Sequence, residues 1–453
     1  MWTFRFHDGT LVVDGVPHDQ LPEGFRVDDR TGGARGPARL YADLVLRARA
    51  IGAPYDDQAR AWQPLDDFNH TAQRTPREYQ QEAVDAWCAA GRRGVVVLPT
   101  GTGKSFVAEM AIALTCRPTL VVAPTLDLVG QWHARLSAVF SGEIGLMGGG
   151  HHEIQRITVS TYDSAALHLS RYGDRFGLLV FDEVHHLPAP VYLEAADSSM
   201  APFRLGLTAT YEREDRREEI LDDSLGPVVY RRKITELRGS YLADYETVQL
   251  SVQLSPEEQI AYQHARATYT QFVRYKRINM SGPNGWRSFL RAAAQSKAGR
   301  AAFKAYQTYR KIAHGTDRKL ELLATLLAEE WGRRTIIFTH DNATAYRVSR
   351  EFLVPCLTHQ TDLKERKAYL DAFESGDLPV LVTSRVLNEG VDLPAAEVAI
   401  VLSGTGTVRE HVQRLGRILR PGDNKQAVLY ELVTRDTTEE SASRRRRQHE
   451  AYR

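Results

Sequence analysis

The sequence predicts an α/β protein with two parallel-sheet domains. A strongly basic helical segment lies between them, and a small α+β module stands at the N-terminus. Three observations carry this. Short, wholly apolar runs alternate with amphipathic stretches from about residue 76 onward, the pattern of strands buried on both faces and covered by crossover helices. The pattern restarts near residue 335, so there are two such domains rather than one long sheet. The 453 residues are too many for one core, and 43% hydrophobic and 25% charged residues give a globular balance.

Each element follows in order. Strand-like alternation covers Thr3–His7 and Thr10–Val13, followed by Asp14-Gly15, a hairpin-like turn signal. The stretch Arg30–Pro37 reads as a loop, and a helix follows with Leu40, Leu44, Leu46 and Ile51 on its apolar side. Residues 1–70 form this module. Buried-type strands are predicted at Val95–Leu98, Leu120–Ala123, Leu178–Phe181 and Arg204–Leu207, within a first sheet domain of residues 71–238. Thr335–Phe338, Val380–Thr383 and Val398–Leu402 belong to a second, residues 239–453. The run Arg444–Arg447 reads as a solvated helix or tail.

Composition excludes several classes. No run reaches the roughly 18–20 apolar residues of a membrane span, so no membrane contact is expected. The first residues alternate polar and apolar, unlike a signal peptide. Cys88, Cys116 and Cys356 are too scattered for a disulfide framework, a zinc site or an iron–sulfur cluster, which points to a reducing, cytoplasmic location. The net charge is +1, yet residues 255–320 hold 13 Lys and Arg against 3 Asp and Glu, while residues 1–70 hold 8 against 11. A local balance of +10 in a near-neutral chain predicts a confined polyanion contact. Within it, Arg274, Lys276, Arg277 and Arg287 are interleaved with aromatic residues. Ser281–Gly285 splits the segment into two hairpin-like arms.

The strongest chemical signal is Leu98-Pro99-Thr100-Gly101-Thr102-Gly103-Lys104-Ser105, placed after a strand and before a helical pattern. Gly101 and Gly103 allow a tight turn whose N–H groups face an anion, and the helix N-terminus adds partial positive charge. Lys104 would reach the β- and γ-phosphates of ATP, and Ser105 would hold Mg2+. Leu98 replaces the first glycine of the strict pattern. Seventy-eight residues after Lys104, the run Leu178–Phe181 ends in Asp182-Glu183. Asp182 at a strand tip suits Mg2+, and Glu183 suits orientation and deprotonation of a water. His185-His186 follows, but adjacent histidines rarely chelate one ion. Gln413, Gly416, Arg417 and Arg420 share one face of a predicted helix, where Arg417 and Arg420 would stabilise charge developing on the γ-phosphate.

Together these segments resemble the ordered motifs of superfamily 2 helicases and nucleic-acid translocases, over residues 74–433. Pro76–Gln80 is similar to the adenine-side element, which implies that Gln80 reads the base with Arg77 nearby. Leu98–Ser105 matches motif I, with Thr100, Gly101, Thr102, Gly103, Lys104 and Ser105 as nucleotide contacts. Ala123–Trp132 resembles motif Ia, implying backbone contacts from Pro124 and Thr125. Asp182–His185 resembles motif II, Leu207–Thr210 motif III and Ile336–Thr339 motif IV. Thr383–Pro394 resembles motif V, with Gly390 and Asp392 at the nucleotide. Gln413–Arg420 resembles motif VI, with Gln413 among the catalytic set.

Within that superfamily the chain resembles the XPB family in its archaeal and bacterial form. Arg213-Glu214-Asp215 after Thr208-Ala209-Thr210 is similar to the family's RED motif, a nucleic-acid element. The basic segment, taken as residues 255–315, sits where the family has its thumb, and residues 1–70 are similar in place and size to its damage-recognition domain. The resemblance implies two RecA-like domains and ATP-dependent 3′-to-5′ action on DNA, single-stranded or forked. It also implies a role in nucleotide excision repair and a Bax1-type nuclease partner. Lys104 and Asp182 on one domain and Arg417 and Arg420 on the other would make hydrolysis depend on closure. Two alternatives stand beside this reading. One is a superfamily 2 translocase of restriction or antiviral defence; the other is an ATP-switched nucleic-acid clamp.

Overall fold

The computed structural model describes residues 1–28, 32–65, 70–71, 74–211, 217–237, 244–280, 282, 284–384, 396–403 and 426–446. The chain divides into two compact units, one ending at Lys233 and one beginning at Ile234.

The first unit opens with β1 (Trp2–His7), β2 (Thr10–Asp14), β3 (Arg26–Asp28), β4 (Gly33–Pro37), α1 (Tyr41–Ala50) and β5 (Tyr55–Asp57). The sheet order is β3-β4-β2-β1-β5. The hairpin turn lies earlier than the sequence suggests. His7 pairs with Thr10, and Asp8 and Gly9, at φ 45° and 73°, form the two-residue loop. Asp14-Gly15 instead ends β2. The predicted Arg30–Pro37 loop contains β4. Gly36 is needed there because a Cβ would lie 2.7 Å from the Phe25 ring. The helix also turns differently. Tyr41, Leu44, Val45 and Ala48 face Phe4, Leu11 and Val13, whereas Leu46 and Ile51 are 62% and 56% exposed.

The larger sheet of this unit comes from α2 (Glu78–Ala89), β6 (Arg93–Val97), α3 (Lys104–Thr115), β7 (Thr119–Ala123), α4 (Leu126–Val139), β8 (Ile144–Gly148), β9 (His151–Glu153) and β10 (Ile157–Thr161). It continues through α5 (Tyr162–Tyr172), β11 (Leu178–Phe181), α6 (Pro190–Asp197), β12 (Phe203–Thr208), α7 (Leu221–Ser224) and β13 (Val228–Arg231). The strand order is β13-β6-β12-β11-β7-β10-β8-β9, and only the β8–β9 pair is antiparallel. Parallel pairing places the ends of β6, β12, β11, β7 and β10 along one edge. Arg204 in β12 is wholly buried, with no carboxylate paired to it among the described residues. Its guanidinium donates to the carbonyls of Ala196, Ser199, Ala201 and Ser224 at 2.7–3.1 Å, and burial draws its pKa down to about 9.

The second unit comprises α8 (Ile234–Leu237), β14 (Asp244–Val252), α9 (Pro256–Tyr275), α10 (Gly285–Ala294), α11 (Lys297–Gly315), α12 (Asp317–Glu329) and β15 (Thr335–Phe338). After these come α13 (Asn342–Phe352), β16 (Cys356–Leu357), α14 (Leu363–Ser375), β17 (Val380–Thr383), β18 (Val398–Val401), β19 (Gln426–Thr434) and α15 (Thr438–Arg446). Its sheet, β14-β19-β18-β15-β17-β16, is parallel throughout. The basic segment has three helices rather than two arms, since α10 lies between α9 and α11. Its aromatics are mostly core: Phe289 packs on Tyr269 at 5.2 Å and on Trp286 at 5.4 Å, and Trp286 lies 4.9 Å from Tyr306. Among the described residues no helix is long and apolar enough to cross a membrane.

A buried ionic knot ties this helical segment to the sheet. The Lys319 ammonium donates to both Glu439 carboxylate oxygens, at 2.8 and 2.7 Å, and to the Leu402 carbonyl at 2.7 Å. His314 on α11 meets the same carboxylate at 3.3 Å and stacks on His340 at 4.9 Å. Burial raises the Glu439 pKa, but Lys319 and His314 outweigh it and hold the group at about 2. Because the folded value lies below the unfolded one, this stabilisation is complete above about pH 4.5 and is lost as pH falls toward about 2. Glu439→Gln should lower the unfolding free energy by about 3–5 kcal/mol at neutral pH, since it strands a buried ammonium. Denaturant titrations should show the gap to the parent narrowing below about pH 4.5.

Candidate nucleotide and nucleic-acid site

The phosphate loop begins where β6 ends. The Leu98 N–H donates to the Thr208 carbonyl at 3.0 Å, joining the loop's first residue to the end of β12. The loop closes on itself when Thr102 Oγ1 donates to the Pro99 carbonyl at 2.6 Å. Gly101 and Gly103 sit at φ 85° and 82°, in the left-handed region. Gly103 caps α3, which starts at Lys104, so the first N–H groups of that helix are free of intrahelical partners. Thr100, Lys104 and Ser105 are half-buried at this mouth, and Gly101 is exposed.

The adenine-side residues grip this loop. Gln80 Nε2 and the Tyr79 hydroxyl both donate to the Thr102 carbonyl at 2.8 Å. Gln80 Oε1 accepts from the Arg77 N–H at 3.0 Å, and Arg77 Nη1 donates to the Tyr79 hydroxyl at 3.1 Å. An amide has two N–H donors and two oxygen lone pairs, so Gln80 keeps one of each beyond these two bonds.

Asp182 follows the last residue of β11 and is only 6% exposed. Its Oδ2 accepts from the Trp132 indole N–H at 2.8 Å and its Oδ1 from the Glu183 N–H at 2.9 Å. The Tyr162 hydroxyl donates to its carbonyl at 2.9 Å. Burial, then the Asp182 and Glu183 charges, push the Tyr162 phenol well up, so it stays protonated as a donor. Glu183 adopts φ 46°, ψ 53°. That turn lets His185 Nδ1 lie 3.4 Å from Glu183 Oε2 and 3.2 Å from Thr208 Oγ1. Thr208 Oγ1 also accepts from the Thr210 N–H at 3.1 Å.

Residues of three predicted motifs therefore meet at the ends of β6, β11 and β12. A fourth lies beside them: Pro124 and Thr125 are half-buried at the start of α4, where Thr125 Oγ1 caps the helix by accepting from the Leu128 N–H at 3.3 Å. Arg274, Lys276, Arg277 and Arg287 are all exposed on the helical segment, with Tyr275 beside them 80% exposed. Arg213, Glu214, Asp215, Gly390, Asp392, Gln413, Arg417 and Arg420 lie outside the described residues. Sequence reading did not single out Trp132, Tyr162 or Tyr79. Their only signal was an aromatic with a polar handle beside a motif.

A divalent cation fits Ser105 and Asp182. No cationic side chain pairs with Asp182 among the described residues, although its carboxylate is buried; such an acid calls for a positive partner. One carboxylate and one hydroxyl suit Mg2+, which keeps several waters and takes phosphate oxygens. No described cluster of three or more His, Cys, Asp or Glu could hold a metal, and His185-His186 forms no such site.

The two parallel-sheet domains and this strand-end site define a superfamily 2 helicase. Three family models match: "Type III restriction enzyme, res subunit" at residues 73–213, "Helicase conserved C-terminal domain" at 318–422, and "Xeroderma pigmentosum group B helicase damage recognition domain" at 4–59. The chain is 42% identical over 372 residues to the DNA 3'-5' translocase XPB2 of Sulfurisphaera tokodaii, covering 82% of this chain and 84% of that protein. It is 34% identical to the DNA 3'-5' helicase XPB of Mycobacterium tuberculosis, covering 82% of this chain and 63% of that one. The helicase domain of Hef from Pyrococcus furiosus shares the fold, with a TM-score of 0.55 at 18% identity, over 82% of this chain and 98% of that one. The chain belongs to the XPB family.

Gly103 links loop geometry to the base side. Gly103→Ala places a Cβ 2.7 Å from Gln80 Nε2 and a side chain at φ 82°. It should destabilise the protein by about 1–2 kcal/mol from the left-handed backbone alone. It should also weaken nucleotide binding, as measured by denaturation and by titration with a fluorescent ATP analogue.

Proposed function

We propose that this chain is an ATP-dependent DNA translocase or helicase that moves 3′ to 5′ and acts in nucleotide excision repair or DNA opening. The observation that carries the reading is Asp182: a buried carboxylate without a cation among the described residues, set beside Glu183 on the sheet edge where the phosphate loop opens. The 3'-5' activities for which the Sulfurisphaera and Mycobacterium relatives are named support the polarity. The damage-recognition match at 4–59 supports repair over the restriction or defence reading.

In this reading Lys104 and the N–H groups of residues 101–105 hold the β- and γ-phosphates. Ser105 and Asp182 would hold Mg2+, which would supply charge neutralisation at the transferred phosphoryl group. Glu183 orients the attacking water and accepts its proton, and His185 fixes Glu183 against Thr208. Gln80 reads adenine with its remaining donor and acceptor, with Arg77 nearby. Gly390 and Asp392 join the nucleotide contacts. Gln413, Arg417 and Arg420 act on charge in the transition state. Pro124, Thr125 and the Arg213-Glu214-Asp215 element contact DNA, as do the cations of the thumb. The working domains are residues 1–70, 71–238 and 239–453, with a thumb at 255–315. A Bax1-type nuclease is the proposed partner and the cytoplasm the proposed location.

Lys104→Ala should abolish ATP hydrolysis. Glu183→Gln should retain nucleotide binding while DNA-stimulated turnover drops by about 100-fold or more, within the range of a positioned base. Normal turnover in Glu183→Gln, measured by steady-state phosphate release on forked DNA, would contradict this site.

Replacing Arg274, Lys276, Arg277 and Arg287 together by alanine should weaken DNA binding irrespective of sequence. It should also flatten the slope of log K against log[salt] by roughly 0.7–0.9 per lost phosphate contact. An unchanged slope in anisotropy titrations would return the segment to a structural role.

A further inference from the structure

Trp132 is 2% exposed, and its indole N–H reaches Asp182 from the middle of α4. The residue sits seven positions beyond Thr125, the cap that begins the helix and the proposed DNA contact. Tyr162 is the first residue of α5 and reaches the carbonyl of the same aspartate. Sheet register brings these partners together. β7 pairs in parallel with both β11 and β10, with Val122 opposite Phe181 and Ala123 opposite Thr161. Asp182, the start of α4 and the start of α5 therefore emerge side by side on one edge.

Ordinary packing would account for a buried tryptophan and tyrosine, but not for where their polar atoms point. One donor fixes a carboxylate oxygen and the other fixes the backbone that carries it. An aspartate carboxyl has a broad, soft terminal torsion, so its direction depends on such bonds. The indole is rigid and α4 is regular from Leu126 to Val139, so a shift of the helix start moves the N–H with it. N–H···O bonds weaken outside about 2.7–3.2 Å, so displacements of a few tenths of an ångström are felt.

We infer that Trp132 and Tyr162 are positioning residues that set the metal-holding carboxylate of Asp182, and that Trp132 does so according to how the start of α4 engages the nucleic acid. This rests on the proposed reading of Asp182 as a Mg2+ ligand. It adds a route by which strand binding at the start of α4 reaches the metal, separate from the contact of His185 with Thr208.

The test uses Trp132→Phe, which keeps an aromatic ring and deletes the N–H, and Tyr162→Phe, which deletes only the hydroxyl. Binding of a fluorescent ATP analogue is titrated with Mg2+ and repeated in excess chelator. The Mg2+ half-saturation of Trp132→Phe should rise about tenfold, the low end of losses when a partner of a metal ligand is removed, with chelator affinity held within about twofold. The ratio of DNA-stimulated to basal ATPase should fall in both variants while DNA affinity is kept. Tyr162→Phe decides the matter if Trp132→Phe does not fold. Mg2+ half-saturation and stimulation ratio both equal to the parent's would overturn the inference. So would an equal loss of affinity with and without Mg2+, which is the mark of a packing defect. Failure of the underlying function appears elsewhere: the parent protein would then show neither Mg2+-dependent nucleotide binding nor stimulation by DNA.

Discussion

A carboxylate buried without a cationic partner among the described residues governs the first unit. Isolated burial of such a charge is among the most expensive events in folding, and proteins meet it with a partner or a metal. Asp182 has two N–H donors and, among the described residues, no positive side chain, so its hydrogen-bonding geometry is met without an ion pair. The surrounding architecture follows from that position. β11 lies between β12 and β7, so the residue after its end has a neighbouring strand end on each side. One of these ends carries Thr208, which touches both the phosphate-loop strand and His185. The other leads into α4 and its indole.

The second unit meets a similar problem in the opposite way. Glu439 is as deeply buried as Asp182, yet Lys319 and His314 answer its charge within the chain. The two carboxylates differ in partner type rather than in burial. The Glu439 knot gathers α11, α12, the end of β18 and α15, the elements through which the basic helices join the sheet. A neutral core there would pack as well, but it would not fix four elements at one point with directional bonds.

Much of this was legible in the chain. The phosphate loop and Asp182-Glu183 stand out because strand ends and helix starts leave local signatures: an apolar run, glycines with left-handed backbone, adjacent acids. The central strands were legible because fully buried parallel strands are continuously apolar. β8 and β10 were not, since Gly145 and Gly148 interrupt one and Thr158 and Ser160 the other. In the N-terminal module two dipeptides, Asp8-Gly9 and Asp14-Gly15, carry the same turn signal, and only pairing across the sheet selects the first. Trp132, Tyr162 and Glu439 could not be recognised. Their roles depend on partners 50, 20 and 120 positions away, which no local pattern encodes.

The basic helices show how the two kinds of signal divide. Aromatic residues interleaved with cations could stack on bases or pack the segment's own helices, and the second holds for most of them: Phe289 is fully buried, and Tyr269, Tyr306 and Tyr309 pack against one another. A ring gains most by leaving water, so interleaved aromatics in a helical segment are first claimed by its own core. A cation loses by the same move, and Arg274, Lys276, Arg277 and Arg287 accordingly remain exposed. Tyr275 is far more exposed than the other rings, at 80% against 42% for Trp286, and has the Lys276 ammonium 5.5 Å from its centre. A ring left in water beside a line of cations is where stacking and phosphate contact can act together. Arg274, Tyr275, Lys276 and Arg277 thus gather exposed charge and an exposed ring at the end of α9, while the tyrosines inside pack its helices together.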